Sequence, residues 1–224
     1  MSAARAEPGR WPRRLSAALC LAMVIASVWL ASRQTHGFEV WTFEGQRERQ
    51  LQAGLLQAAP VPLRTADGEQ PAPWSNDGAA PAGAYLVDFI YTQCPSICRA
   101  LGSEYQQMQA ELASRGDRSV RLVSVSFDVA NETAGTLRGY ARTYHADAAR
   151  WTIAVPTDAR DTEALLQSLG VVVIPDGFGG YVHNGAIHLL DARGRLRGLY
   201  ALDEWQQALE AAQRLAANQQ VARR

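Results

Sequence analysis

The sequence predicts an α/β domain, a central mixed sheet flanked by helices, behind an N-terminal transmembrane helix. Three observations predict it. Between Tyr85 and Leu169, short β-favouring apolar runs alternate with stretches whose apolar residues recur at helical spacing. Farther on, Gly185–Leu190 and Leu196–Tyr200 flank Asp191-Ala192-Arg193-Gly194, the pattern of a β-hairpin. Near the start, Leu15–Ser32 contains no charged residue.

As a helix, that uncharged run spans about 27 Å, just enough to cross the hydrocarbon core. Arg5, Arg10, Arg13 and Arg14 precede it, against Glu7 alone. The excess of cations keeps residues 1–14 in the cytoplasm and sends the rest across the membrane. A cleaved signal peptide is the rival reading, but Trp29 and Leu30 crowd the positions where small residues would mark the cut. Residues 15–32 are therefore read as a retained single-pass anchor. Cys20 follows bulky Leu19, which suits an apolar helix face rather than lipoprotein processing. Residues 33–58 form a juxtamembrane stalk or amphipathic helix, with Phe38, Trp41 and Phe43 suited to the membrane interface.

The folded domain is expected over residues 59–216, with a tail over 217–224. Ala59–Gly83, rich in Pro, Gly, Ala and Asp, reads as turns and at most short edge strands. Tyr85–Tyr91 is a buried strand interrupted by Asp88. Ile97, Leu101, Tyr105, Met108 and Leu112 then mark a helix over Ile97–Ser114. Val120–Phe127 is a strand, Glu132–Tyr144 a helix and Trp151–Val155 a short strand. Asp158–Leu169 is a helix stopped by Gly170. Val171–Tyr181, with Pro175, Gly177, Gly179 and Gly180, reads as a loop. After the hairpin, Asp203 is expected to cap a last helix with Trp205, Leu209, Ala212 and Leu215 on one stripe. Alternating strands and helices closed by a hairpin and a helix form the order of a thioredoxin-like sheet. There is no internal repeat.

Composition excludes one class of partner. Lys+Arg and Asp+Glu balance at 22 each, so no global field draws in nucleic acid. Two of the three cysteines, Cys94 and Cys98, fall where the first domain strand gives way to a helix. The amino end of a helix favours thiolate over thiol, and the thiolate is both nucleophile and metal ligand. Their Cys-x-x-x-Cys spacing would put the two Cα atoms roughly 6 Å apart in a helix. That allows a disulfide, or two open legs of a metal site; buried structural thiols are the plain alternative.

YTQCPSIC, followed by SVSFD, RWTIAVPTD and VHNGAIHLLDARGRL, resembles the Sco/SenC family of membrane-anchored, thioredoxin-like copper proteins of cytochrome c oxidase assembly. The resemblance covers roughly Ala59 to Leu215, with its motifs in the family's order. It implies a copper histidine at the position matched by His183. His188, five residues on, would face the other side of a regular strand. His145 at a helix end reads as a surface residue, and His36 lies beside the membrane segment. Two thiolates and one imidazole suit Cu(I), with Cu(II) as the other oxidation state. Structural zinc wants a fourth ligand and an iron–sulfur cluster more cysteines. Met108 belongs to a helix stripe. Gly177-Phe178-Gly179-Gly180 would let the His183 loop move, or would simply be a flexible connection.

Two features depart from the family pattern. Arg99 stands where a proline often follows the second cysteine. The acidic Asp-Pro-x-x-Asp-Thr-Pro run becomes Asp128-Val129-Ala130-Asn131-Glu132-Thr133-Ala134, without its prolines. Asp128 is left as either an acid near the site or a cap for the next helix.

The resemblance implies a copper chaperone of the inner membrane, its domain in the periplasm, with Cys94, Cys98 and His183 as metal ligands. Its partner would be the copper-bearing subunit of cytochrome c oxidase, with other copper chaperones or thiol reductants as further contacts. A thiol–disulfide reductase of that subunit's cysteines, or a redox or copper sensor, would use the same three residues. Only the reductase would be an enzyme.

Overall fold

The computed structural model describes residues 10–35, 37, 42–74, 83–93, 97–177 and 180–222. They belong to two compact units, Met1–Arg49 and Gln50–Arg224. The first carries α1 (Arg10–Gln34) and the start of α2 (Phe43–Gln52). Within α1, Leu15–Gln34 is long and apolar enough to cross a membrane, as an anchor is. Leu15, Leu19, Leu21, Val24 and Trp29 are all exposed on it, and so is Cys20. Leaving so many large apolar side chains in water is costly, so the helix needs an apolar surround. It continues two residues past the expected end at Ser32, because Arg33 and Gln34 are good helix formers.

The second unit opens with a short hairpin, β1 (Pro62–Thr65) and β2 (Gly68–Pro71). Then come β3 (Ala84–Ile90), α3 (Ile97–Ser114), β4 (Val120–Ser126), α4 (Ala134–Thr143), β5 (Trp151–Pro156) and α5 (Ala159–Ser168). A small ribbon follows, β6 (Val173–Pro175) and β7 (Tyr181–His183), then the hairpin β8 (Ile187–Asp191) and β9 (Leu196–Tyr200). A 3-10 turn over Leu202–Glu204 leads into α6 (Trp205–Ala222).

Seven strands form one sheet in the order β2-β1-β5-β4-β3-β8-β9. β3, β4 and β5 are parallel, joined by helical crossovers; β8, β9 and β1 run antiparallel to their neighbours. β3 is central, and all seven of its residues are buried. That is why its sequence is nearly continuous in apolar side chains rather than alternating. α6 lies against β3, β8 and β9, α3 against β4 and α6, and α4 and α5 against β5.

Three expectations are corrected. Val171–Tyr181 is not all loop: Ile174 pairs with Val182 and Pro175 with Tyr181, around a turn where Gly177 takes φ +78°. Gly177 turns the chain between the two strands with a left-handed φ that suits a residue without a side chain. The helix expected from Glu132 begins at Ala134, because Thr133 caps it and exchanges side-chain hydrogen bonds with Thr136. Asp203 is not a cap: it lies inside the 3-10 turn, and the Ala201 N–H donates instead to the Glu204 carboxyl. α6 continues to Ala222, and its buried Ala216 packs against Gly83, where a side chain would not fit.

The core also begins ahead of residue 59. Leu56 and Ala58 are buried, tied to the β8–β9 turn by Leu196 N–H to Leu56 O and Ala58 N–H to Gly194 O.

Candidate metal centre

β3 delivers the chain to the cysteine segment. Tyr91, just past its end, is buried, and Thr92 follows. Thr92 is held by Glu132, whose Oε1 accepts from the Thr92 N–H at 2.8 Å and whose Oε2 accepts from the Thr92 hydroxyl at 2.9 Å. Ser126 and Thr136 hydroxyls donate to the same carboxylate at 2.8 and 2.6 Å. Four donors occupy the four acceptor positions of this buried side chain. They lock together the start of the cysteine segment, the end of β4 and the start of α4. Cys94 lies outside the described residues. Of Cys98 and Arg99 the backbone is described, in the first turn of α3.

His183 ends β7, paired with Val173 across the ribbon. The ribbon is fixed at both ends. Asn184 accepts from Val172 N–H at 2.7 Å and donates to Gly170 O at 3.1 Å; Asp176 accepts from Gly180 N–H at 2.9 Å. Its inner face is aromatic. Tyr181 meets Tyr91 edge-on, ring centroids 5.2 Å apart, and Phe127 at 5.3 Å; Phe127 in turn meets His183 at 5.3 Å. A side chain three residues before Cys94 thus touches one two residues before His183.

Both ring nitrogens of His183 are buried, and among the described residues neither has a hydrogen-bond partner. Burial pushes its pKa below the usual histidine value, which favours the neutral ring. Two buried nitrogens left without a partner cost free energy unless a ligand takes one of them. They fit a soft metal ion bound through imidazole.

The other histidines are not like this. His188 is buried, its Nδ1 3.2 Å from Val87 O and its ring edge-on to Phe89. His145 is exposed with φ +52°, just past the end of α4. His36 lies outside the described residues. Met108 is a core residue. Among the described residues no three His, Cys, Asp or Glu side chains are grouped to hold a metal.

The family model described as SCO1/SenC matches residues 75–218. The chain belongs to the SCO1/SenC family. It is 25% identical over 114 residues to a SCO1 protein homolog of Bacillus subtilis, covering 50% of this chain and 58% of that one. The chain thus spans a little over half the length of the curated relatives it matches. Among solved structures it is similar to BsSco, from the Sco family of cytochrome c oxidase assembly proteins, in which a disulfide switch was identified. The TM-score is 0.61 at 19% identity, over 72% of this chain and 94% of that one. ScoI of Bradyrhizobium japonicum, solved with copper bound, gives 0.57 at 20%, over 71% and 99%. The shared fold is the thioredoxin-like sheet expected from the order of elements.

Several residues that shape this SCO1/SenC domain were not singled out from sequence. From sequence, Glu132 is the start of a helix and part of the acidic run, Thr92 part of the break after the strand, and Asn184 only a motif position. Asp128 is not a helix cap: its oxygens accept from the Asn131 side chain at 3.0 and 2.9 Å, while Thr133 caps α4. It lies instead beside Tyr181. Burial raises the Tyr181 phenol's pKa, and the Asp128 charge adds to the rise. Asp88, the one acid in β3, is fully buried, and among the described residues neither carboxyl oxygen has a partner in regular hydrogen-bond geometry. Burial pushes its pKa up to about 7, although the adjacent Ser124 and Tyr105 hydroxyls pull the other way. A lone acid in an apolar run was the available signal.

Proposed function

We propose that this chain is a membrane-anchored copper chaperone, its domain facing the periplasm, that delivers Cu(I) to the copper-bearing subunit of cytochrome c oxidase. The His183 imidazole carries the reading: among the described residues both of its nitrogens are buried and without a partner, beside the aromatic cluster that includes Tyr91. A structural histidine has a partner, as His188 does at Val87 O. The copper in the Bradyrhizobium relative and the oxidase-assembly role named for BsSco support the same reading.

In this reading Cys94 and Cys98 supply two thiolates and His183 one imidazole nitrogen. Two soft sulfurs and one nitrogen favour Cu(I) over harder ions. α3 begins at Ile97, and the amino end of a helix favours thiolate over thiol. Glu132 fixes the start of the cysteine segment, and the ribbon fixes His183. Delivery proceeds by ligand exchange, an acceptor's ligands replacing these three one at a time, with no electron transferred.

The test offers copper-loaded full-length protein to a reduced oxidase copper-site fragment, and metal-free reduced protein to the oxidised fragment. Transfer of copper, impaired in His183→Ala, is expected, with slow or no reduction. Rapid reduction of the fragment by metal-free protein, with no copper transfer from the loaded form, would replace delivery with thiol–disulfide reduction.

A further inference from the structure

The β8–β9 hairpin carries charge that the candidate metal centre does not use. Arg193, Arg195 and Arg197 line a cavity of about 320 Å³, together with Asp191 and, from α6, Leu215 and Gln219. Asp191 is already committed. Its Oδ1 accepts from the backbone N–H groups of Arg193 and Arg195, and its Oδ2 takes two hydrogen bonds from Arg197 at 2.9 and 2.7 Å. Among the described residues, the exposed guanidiniums of Arg193 and Arg195 have no carboxylate partner. Three guanidiniums against one carboxylate leave an excess of two positive charges around the cavity. Paired guanidiniums are the side chains best shaped for phosphate oxygens.

The cavity has a definite place in the fold. Asp191 pairs with Ala84, the first residue of β3. It therefore lies at the end of the sheet opposite Tyr91 and the cysteine segment. The chain enters the domain at this same end: Gln57 bridges to Arg195, and its side chain donates to Arg193 O at 3.0 Å. Gln57 follows the end of α1 by 23 residues, ten of them in α2. Such a connection reaches at most about 60 Å. With α1 in a bilayer, the tether keeps the cavity at high effective concentration near lipid headgroups, where even weak binding is occupied.

We propose that the Arg193–Arg195–Arg197 cavity binds the phosphate of an anionic phospholipid headgroup, resting this end of the domain on the membrane. Leu215 offers an apolar contact to the glycerol backbone. The opposite end, with the cysteine segment and His183, is then turned toward the aqueous side. The inference rests on α1 being a membrane anchor and is independent of which metal the protein carries.

The test uses full-length protein in nanodiscs of phosphatidylcholine, alone or with a third of the lipid replaced by phosphatidylglycerol, read by amide hydrogen exchange. Exchange in the β8–β9 turn should slow by about tenfold with phosphatidylglycerol. Arg193→Ala/Arg195→Ala protein, which keeps the Asp191–Arg197 pair and should unfold at the same temperature, should lose that protection while still binding copper. Millimolar inorganic phosphate in phosphatidylcholine discs should not reproduce it. Equal exchange in the two lipids, or equal protection in the double variant, would overturn the proposal. Protection by inorganic phosphate alone would overturn it too, making the cavity a site for a free anion.

Discussion

The Glu132 carboxylate accepts both the N–H and the hydroxyl of Thr92, forty residues away in sequence and two residues before Cys94. This pair fixes where the cysteine segment begins. Because Glu132 also takes the Ser126 and Thr136 hydroxyls, removing it strands several donors at once.

Glu132→Ala should therefore lower unfolding stability by about 3 kcal/mol, because buried donors are left without an acceptor. Glu132→Gln should cost less, since its carbonyl oxygen still accepts. Chemical denaturation of both variants measures this. A loss under half a kilocalorie per mole in Glu132→Ala would show that water replaces the carboxylate without penalty.

On the ligand assignment proposed above, reduced protein should hold one Cu(I), and Cys94→Ser or Cys98→Ser should nearly abolish binding. His183→Ala should weaken binding by about tenfold or more and leave the fold intact, because the ring makes no hydrogen bond among the described residues. Competition against a Cu(I) chelator reads this directly. Unchanged affinity in His183→Ala would remove His183 from the ligand set.

Asp88 gives the domain a pH dependence of known sign. Its folded-state pKa is raised to about 7 by burial, so between the ordinary aspartate value and 7 the folded protein binds more protons than the unfolded one. The contribution is fully present below the unfolded pKa and is lost as pH rises through about 7, with a slope of at most about 1.4 kcal/mol per pH unit. Asp88→Asn should flatten that fall and be the more stable protein at pH 8. Parallel stability curves for the two proteins from pH 5 to 8 would show that Asp88 does not titrate in this range.

The anchor is tested on membranes. Full-length protein should stay in the pellet after an alkaline carbonate wash, held by Leu15–Gln34. Recovery of an intact soluble species beginning after residue 32 would identify a cleaved signal instead.

Much of the fold was legible because burial imposes local periodicity. Helix α3 was expected over Ile97–Ser114 and occupies those residues, since its apolar stripe, Leu101, Tyr105, Met108 and Leu112, is wholly buried. β9 likewise matches Leu196–Tyr200. The β6–β7 ribbon was missed because its strands are three residues long, too short for alternation to be read, and its glycines resemble those of a loop. The cysteine pair and His183 were picked out by motif, and the ligand set remains a proposal.

By itself the sequence determined the apolar span, the alternation of strands and helices and the family motifs, because each is written in neighbouring residues. Only the tertiary structure decided which polar groups find partners. Whether Glu132 faces solvent or gathers four donors, whether His188 finds a partner at Val87, and whether three arginines share one cavity all depend on contacts between distant segments. Such contacts leave no period in the chain. They exist only once the sheet has brought β3, β4, the ribbon and the β8–β9 hairpin into register.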